Sequence, residues 1–555
     1  MQQLDWRPYF PLRQPRPEQS NAIEYIIEQV LLGKEYIIAE LGTGVGKSAI
    51  AMTIARWARA YEHELRDLDV IGVAPPTAYV LTSQKILQDQ YARDFSGFAA
   101  DIRSSANFEC SWLPGQTCAE TMRIKRALQG KECLKNLSCK NEGMCPYRAA
   151  KELFKGALVG VTNYSYFLSE TVYVYNSSLK QREFLIMDEA HNIESEVRRW
   201  ATISIDEKFV QKELGINMPK NLKSTREVLE WAKSDYASAL AQLVGTTLGA
   251  IESGIATLDN RNAPRMRALT RRYELLDKHM CQVNRFIEGK GGNYNDYLAT
   301  CDKNRDGYHT IQLKPINITW QSRAYLFSKG HHNIMMSASI LDKKTFMRSA
   351  GIKKDTPVGY ISMPSPFPYD NRPIFYAGVG KMTFKEINKT LPRLADAVRK
   401  VLNVHSAEKG IIHTKNYKIA EYLVKNINDP RLLTHTTANR NDILKRHLKS
   451  KTPTVLVSPS MNEGVDLSDN ASRFQVLCKV PFPYMGDAVV KRKMIVDPSW
   501  YNWITAQMLI QSIGRSIRSV DDHAVTYILD TAWESFYKKN RRFFPSDFDK
   551  ILHVV

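Results

Sequence analysis

The stretch "AELGTGVGKSA" carries the residue types that can hold a polyphosphate. Gly42, Gly44 and Gly46 let the backbone curl around Thr43 so that successive N–H groups face phosphate oxygens. Lys47 can reach the β- and γ-phosphates, and the Ser48 hydroxyl can hold Mg2+. The spacing departs from G-x-x-x-x-G-K-[ST] at its first glycine, where Leu41 stands. A second group follows the apolar run of "FLIMDEAHN". Two carboxylates at a strand's carboxyl end stand where ligands bind in open α/β sheets. Asp188 would support the Mg2+ shell, and Glu189 would orient and deprotonate an attacking water. Far downstream, Gln511, Arg515 and Arg518 are spaced by four and three residues. That spacing predicts one helical face offering an amide and two guanidiniums to a transition-state phosphate. Alone, each group has a bland alternative: a glycine-rich turn, an acidic helix cap, a solvated basic face. Together they make triphosphate hydrolysis the sharper expectation.

A third group has other chemistry. Five of the eight cysteines fall between Cys110 and Cys145. Thiolate cages select zinc or iron–sulfur clusters over harder metals. Zinc ribbons and fingers usually use cysteine pairs two to four residues apart, and no such pair occurs here. Spacing leaves both metals open. The opening "MQQLDWRPYF" lacks a basic segment followed by an apolar one, so a signal peptide is not expected. A reducing, cytoplasmic setting then argues against a disulfide framework.

These residues need elements to position them. Tyr36–Ala39 reads as a short buried strand before the glycine loop, with a helix after it. "FLIM" reads as a second strand, and "AVTYIL" as a third that follows the Gln511 helix and docks it on another sheet. The expected class is therefore α/β with parallel sheets. A length of 555 residues suggests three or four domains. No apolar run is long enough to span a bilayer. The formal charge of +19 attracts polyanions, of which nucleic acid is the commonest large one.

Taken in order, these segments resemble the XPD/DinG family of superfamily 2 helicases. "RPEQ" (Arg16 to Gln19) looks like the family's adenine-sensing element, and "ELGTGVGKS" its motif I. "YVLTSQKILQDQ" looks like motif Ia, and "VTNYSYFL" a segment characteristic of the family before its DEAH box. "MMSASILDKKTF" is similar to motif III, with Ser339 where threonine is frequent. "SPFPY" looks like the opening of a second motor domain. "NEGVDL", with Gly464 and Asp466, and "QSIGRSIR" are similar to motifs V and VI. The resemblance implies two RecA-like motor domains sandwiching ATP and Mg2+, with Arg16 and Gln19 at the nucleotide. It implies an ATP-dependent helicase moving 5′→3′ along single-stranded DNA, acting on forked or tailed duplexes as a monomer, without a membrane. A translocase or redox-gated ATPase without productive unwinding is the alternative. It also implies one 4Fe–4S cluster held by Cys110, Cys133, Cys139 and Cys145, with Cys118 as the spare, in a small wedge at the duplex junction.

The implied division places the first motor domain at 1–104, 149–196 and 306–345. An iron–sulfur domain occupies 105–148, a helical arch 197–305, and the second motor domain 346–555. Within the arch, Ser224 and Glu227 form a possible capping box. Met266, Leu269, Tyr273, Leu276, Met280, Val283 and Ile287 repeat at steps of three and four and predict the buried stripe of a helix. "DKNRDG" imitates a calcium loop, but Leu313 stands where the twelfth-position Glu belongs. An Asp-Gly turn before a strand "YHTIQLK" is expected instead.

Overall fold

The computed structural model describes residues 5–66, 76–83, 85–109, 117–118, 145–172, 179–219, 224–255, 263–289, 292–304, 306–460, 467, 469–517 and 519–555. Two seven-stranded parallel sheets carry the architecture. The first lobe is built on β1 (Tyr36–Leu41), β2 (Ala78–Thr82), β3 (Ala99–Asp101), β4 (Val159–Asn163) and β5 (Arg182–Met187). β1, β2 and β5 are buried along their whole length, as strands covered by helices on both faces must be. A three-stranded antiparallel sheet then interrupts the lobe: β6 (Ile203–Asp206), β7 (Tyr297–Lys303) and β8 (His309–Pro315). β9 (Gly330–Ser337) and β10 (Val358–Met363) return to the first sheet, whose order is β10-β1-β9-β5-β2-β4-β3.

The second lobe has β11 (Ile374–Gly380), β12 (Gly410–His413), β13 (Leu432–Thr434), β14 (Val455–Ser458), β15 (Phe474–Leu477), β16 (Val525–Asp530) and β17 (Leu552–Val554). They lie in the order β13-β14-β12-β15-β16-β11-β17. The sequence division sends residues from 346 onward to this lobe, and the structure corrects it. β10 pairs with β1 from Tyr36↔Val358 to Leu41↔Met363. Without that pairing β1, which feeds the glycine loop, would be a bare edge strand.

The interruption is not purely helical. Two helices, Ala237–Ile255 and Ala263–Ile287, pack beside the three-stranded sheet. The expected stripe is real: Met266, Leu276 and Val283 are buried, and Tyr273, Met280 and Ile287 pack against the same apolar clusters. Ser224 caps the Thr225–Trp231 helix, its Oγ accepting from Glu227 N at 3.3 Å. Gly307, at φ 87°, turns the chain from β7 into β8 and Leu313 is buried within β8, as a hairpin rather than a calcium loop requires. No helix among the described residues is long and apolar enough to cross a membrane.

Candidate active site at the seam of the two sheets

The glycine loop emerges from β1 at its carboxyl end. Leu41, the departure from the usual spacing, is fully buried in the core of the first lobe, paired with Met363. Gly42 N donates to Met363 O at 2.9 Å, and a Cβ at Gly42 would strike the backbone of Ser365. Gly44 and Gly46 take φ 93° and 90°, a region that disfavours any side chain. Two groups crowd these glycines. The Phe367 ring lies over Gly44, and the Gln19 amide lies on Gly46. Arg16 closes the loop from outside, its Nη1 donating to Gly44 O at 2.7 Å. Gln19 Oε1 in turn accepts from Arg16 N at 2.9 Å, so the two form one capping unit at the Pro17–Leu31 helix. Lys47 and Ser48 open the Lys47–Arg66 helix, where unpaired N–H groups favour anions. Thr43 O accepts from Ser365 Oγ at 2.8 Å.

Asp188 follows β5 and is buried. Its Oδ1 accepts from Glu189 N at 2.9 Å and its Oδ2 from the Tyr91 hydroxyl at 3.2 Å. The Tyr91 hydroxyl also hydrogen-bonds Ser48. Ser48 and Asp188 thus both bond the same phenol. Burial, then the neighbouring Glu189 charge, pushes the Asp188 carboxyl up to about 6, against the pull of Lys47. A bound divalent cation would remove that penalty, so the donor set fits Mg2+. Glu189 sits at φ 50°, ψ 46°, a left-handed conformation that costs about 1–3 kcal/mol in a non-glycine residue. Its Oε2 lies 3.2 Å from His191 Nδ1.

From there a polar chain crosses to the second lobe. His191 Nδ1 lies 2.9 Å from Ser337 Oγ, at the end of β9. Ser337 Oγ lies 3.5 Å from Ser339 Oγ and accepts from Ser339 N at 3.1 Å. Gln511 Nε2, from the second lobe, donates to Ser339 Oγ at 2.5 Å. Arg515 Nη2 donates to Gln511 Oε1 at 3.2 Å. The Trp500–Ile513 helix carrying Gln511 docks along a stripe of every third or fourth residue. Trp500 Nε1 donates to Glu194 at 2.9 Å, Trp503 Nε1 to Ile340 O at 2.8 Å, and Gln507 Nε2 to Ser339 O at 2.9 Å. Lys493 pairs with the same Glu194, and Arg348 grips Asp497 with bonds of 2.8 and 3.0 Å. A cavity of about 430 Å3 lies along this seam, lined by Gly42 and Thr43 on one side and Ile510, Ile513 and Gly514 on the other.

The structure therefore gathers Arg16, Gln19, Gly42, Thr43, Gly44, Gly46, Lys47, Ser48, Asp188 and Glu189 around one loop, with Gln511 and Arg515 joined to them through Ser339. The expected single helical face is corrected. The helix stops at Ile513, and Gly514, a poor helix former, begins a turn that carries Arg515. Arg518, Gly464 and Asp466 lie outside the described residues. Sequence reasoning missed Tyr91, next to the quoted "KILQDQ", and Glu40. The Glu40 carboxylate accepts from Leu341 N and Tyr360 Oη, both at 2.7 Å, and pins the root of the glycine loop. Neither carries a signal in one sequence, because burial beside the site is what gives it a role.

Of the expected cluster ligands, Cys110, Cys133 and Cys139 lie outside the described residues. Cys145 is buried one residue ahead of the Pro146–Gly156 helix, in the same apolar cluster as Cys118. Cys118 N donates to Phe108 O at 2.7 Å, and the Phe108 ring meets Tyr147 edge-on at 5.4 Å. A cysteine sulfur at a helix start, walled by apolar groups, is compatible with a cluster ligand. Among the described residues no three potential ligands gather.

Two parallel sheets with a phosphate loop on one and a Gln–Arg arm reaching from the other define a two-domain RecA-like protein. A DEAD_2 model matches residues 82–210, and a helicase C-terminal domain model matches 399–550. The ATP-dependent DNA helicase YoaA of Escherichia coli is 20% identical over 94% of this chain and 92% of its own. The ATP-dependent DNA helicase DinG of Photobacterium profundum is 26% identical over 44% of this chain. The chain spans 36% of that DinG, and 12% of the Scheffersomyces stipitis helicase CHL1 that it also matches. A solved XPD helicase structure superposes over 98% of this chain and 100% of its own, with a TM-score of 0.59 at 15% identity. The two family models, these relatives and the shared fold support the XPD/DinG family of superfamily 2 helicases.

Proposed function

We propose that this protein is an ATP-dependent DNA helicase that translocates 5′→3′ on single-stranded DNA and unwinds forked or tailed duplexes. The observation that carries the reading is the polar chain from Glu189 through His191, Ser337, Ser339 and Gln511 to Arg515. It ties the group that would prepare the attacking water to the group that would meet the transition-state charge from the other lobe. Hydrolysis is then possible only when the lobes are together, which is how a chemical step becomes a mechanical one. In this reading Lys47, with Gly42, Thr43, Gly44 and Gly46, binds the phosphates, and Ser48 and Asp188 hold Mg2+. Glu189 orients the water, Gln511, Arg515 and Arg518 stabilise the transferring phosphoryl, and Arg16 and Gln19 sense the base. Gly464 and Asp466 belong to the same site. DNA as partner is supported by the names of the relatives and by the charge of +19.

The reading extends to a 4Fe–4S cluster held by Cys110, Cys133, Cys139 and Cys145, in a domain that serves as a wedge. The cluster would supply a staple for a segment too small to bury a core of its own. Domain limits of 105–148 for this segment and 197–305 for an arch are part of the proposal. The alternative is a single-strand translocase that displaces proteins without separating strands.

The test is ATP turnover with and without single-stranded DNA, together with unwinding of 5′-tailed, 3′-tailed and blunt duplexes. Stimulated turnover with unwinding of the 5′-tailed substrate alone is expected. Unwinding that survives in Lys47→Ala, or a preference for the 3′ tail, sinks the reading. Anaerobically purified protein should be brown and bear iron; a colourless, zinc-bearing sample removes the cluster from it.

A further inference from the structure

Among the described residues, the most exposed aromatic ring of the second lobe is one that its own packing does not need. Phe384 is 94% exposed, in the loop that leaves the carboxyl end of β11. Its neighbours in the same loop are not loose. Met382 and Ile387, two residues before and three after, are buried in the core of the lobe. Thr390 Oγ1 donates to Lys381 O at 3.0 Å and fixes the loop's start. Buried Asp530 stitches the carboxyl edge together: it accepts from Met382 N at 3.4 Å, Val480 N at 3.0 Å and Ala532 N at 3.0 Å. A loop anchored on both sides fixes the backbone under the ring, so only the side-chain torsions of Phe384 remain to be ordered by a ligand.

The charge around this ring is one-sided. Lys381, Lys385 and Lys389 are exposed, and no acidic side chain pairs with their ammonium groups among the described residues. Glu386 is the acidic residue of the loop. Lys418 joins from the neighbouring helix, its Nζ bonding Asn388 Oδ1 at 2.7 Å. Carboxyl ends of parallel strands are where such sheets take ligands, and the turn after β12 opens on the same edge. A protruding ring amid unpaired lysines is the composition that grips a single strand: cations on phosphates, a π-face on a base.

We propose that Phe384 is a base-stacking prong on the path of single-stranded nucleic acid across the second lobe, with Lys381 and Lys385 on the flanking phosphates. This rests on the helicase reading above and adds to it a residue outside the triphosphate site. The strand passes with one base against the ring, and because every base has a π-face, the contact carries no sequence preference.

The experiment is titration of the full-length protein with a fluorescein-labelled oligodeoxythymidine, an abasic oligomer of equal length, and salt. Phe384→Ala should weaken oligodeoxythymidine binding about 5- to 150-fold, the range for loss of one stacked base. It should leave binding to the abasic oligomer and the dependence on salt unchanged, and Phe384→Trp should restore the affinity. Lys381→Ala and Lys385→Ala should each flatten the salt slope by about 0.7. DNA-free ATP turnover should be that of the parent in every variant, since none of these residues touches the triphosphate site. The proposal is overturned if Phe384→Ala binds oligodeoxythymidine like the parent, or if its loss extends equally to the abasic oligomer. If the parent itself neither binds single strands nor shows stimulated turnover, the helicase reading falls as well, which is a separate result.

Discussion

Ser339→Ala is the sharpest probe of how the two lobes communicate. Ser339 is fully buried, its Oγ accepts from Gln511 Nε2 at 2.5 Å, and its backbone carbonyl accepts from Gln507 at 2.9 Å. The substitution removes the first bond and the 3.5 Å contact with Ser337 Oγ, and leaves the second bond in place. The methyl fits where the hydroxymethylene was, so no cavity of consequence forms. What remains is a Gln511 amide facing an apolar group at a closed seam, which costs about 1–3 kcal/mol. The cost falls on the closed arrangement alone, because in an open one water takes the hydroxyl's place. DNA-stimulated ATP turnover should therefore drop about 5- to 150-fold, with the midpoint of urea unfolding little changed. Ser339→Thr keeps the hydroxyl and should hold most of the activity. Steady-state turnover against DNA concentration, with ATP binding measured separately, reads the effect. If Ser339→Ala turns over ATP like the parent, or if Ser339→Thr is equally crippled, the chain from Glu189 to Arg515 is not the coupling device.

Further expectations follow from other contacts. Gly46→Ala should weaken ATP binding at least tenfold by isothermal titration, since φ 90° disfavours a side chain and its Cβ would displace the Gln19 amide. Burial pushes Glu194 up, but Arg198 and Lys493 more than reverse this and leave it at about 2, while burial holds Lys493 below its ordinary range. Both charges lose their water on burial, which offsets part of their attraction. Lys493→Met alone should cost up to about 3–5 kcal/mol in urea unfolding, and adding Glu194→Gln should return much of it. Because the Glu194 pKa is depressed from 4.5 to about 2, the stability it contributes, at most about 3 kcal/mol, is present above pH 4.5 and lost as pH falls toward 2. The stability gap between parent and Glu194→Gln should accordingly narrow in acid; a gap that widens refutes the assignment.

The local signals in this chain were strong where backbone chemistry is local. The strand before Gly42, the glycines at φ 93° and 90°, the carboxylates after β5 and the Met266–Ile287 stripe all follow from residue type and spacing. Such signals need only neighbours within a few residues: a turn that demands no Cβ, an apolar strand that ends in charge, a period that matches a helix. The end of the Gln511 helix and the sheet that β10 joins are not legible in the sequence for the converse reason. Gly514 weakens a helix without forbidding it, and an apolar run carries no label for the sheet it will join.

What the sequence by itself determined is the inventory: a phosphate loop, two carboxylates, an amide, arginines and a cysteine group, in an order that identifies the family. Only the tertiary structure decided which of these touch. Asp188 becomes hard to ionise because folding buries it beside Glu189. Ser339 becomes the meeting point of two lobes because Gln511, 172 residues away, lands on it. Phe384 stands out because Met382 and Ile387 on either side are taken into the core. Burial, strain and contact across long chain separations are properties of the packed whole, and no spacing rule encodes them.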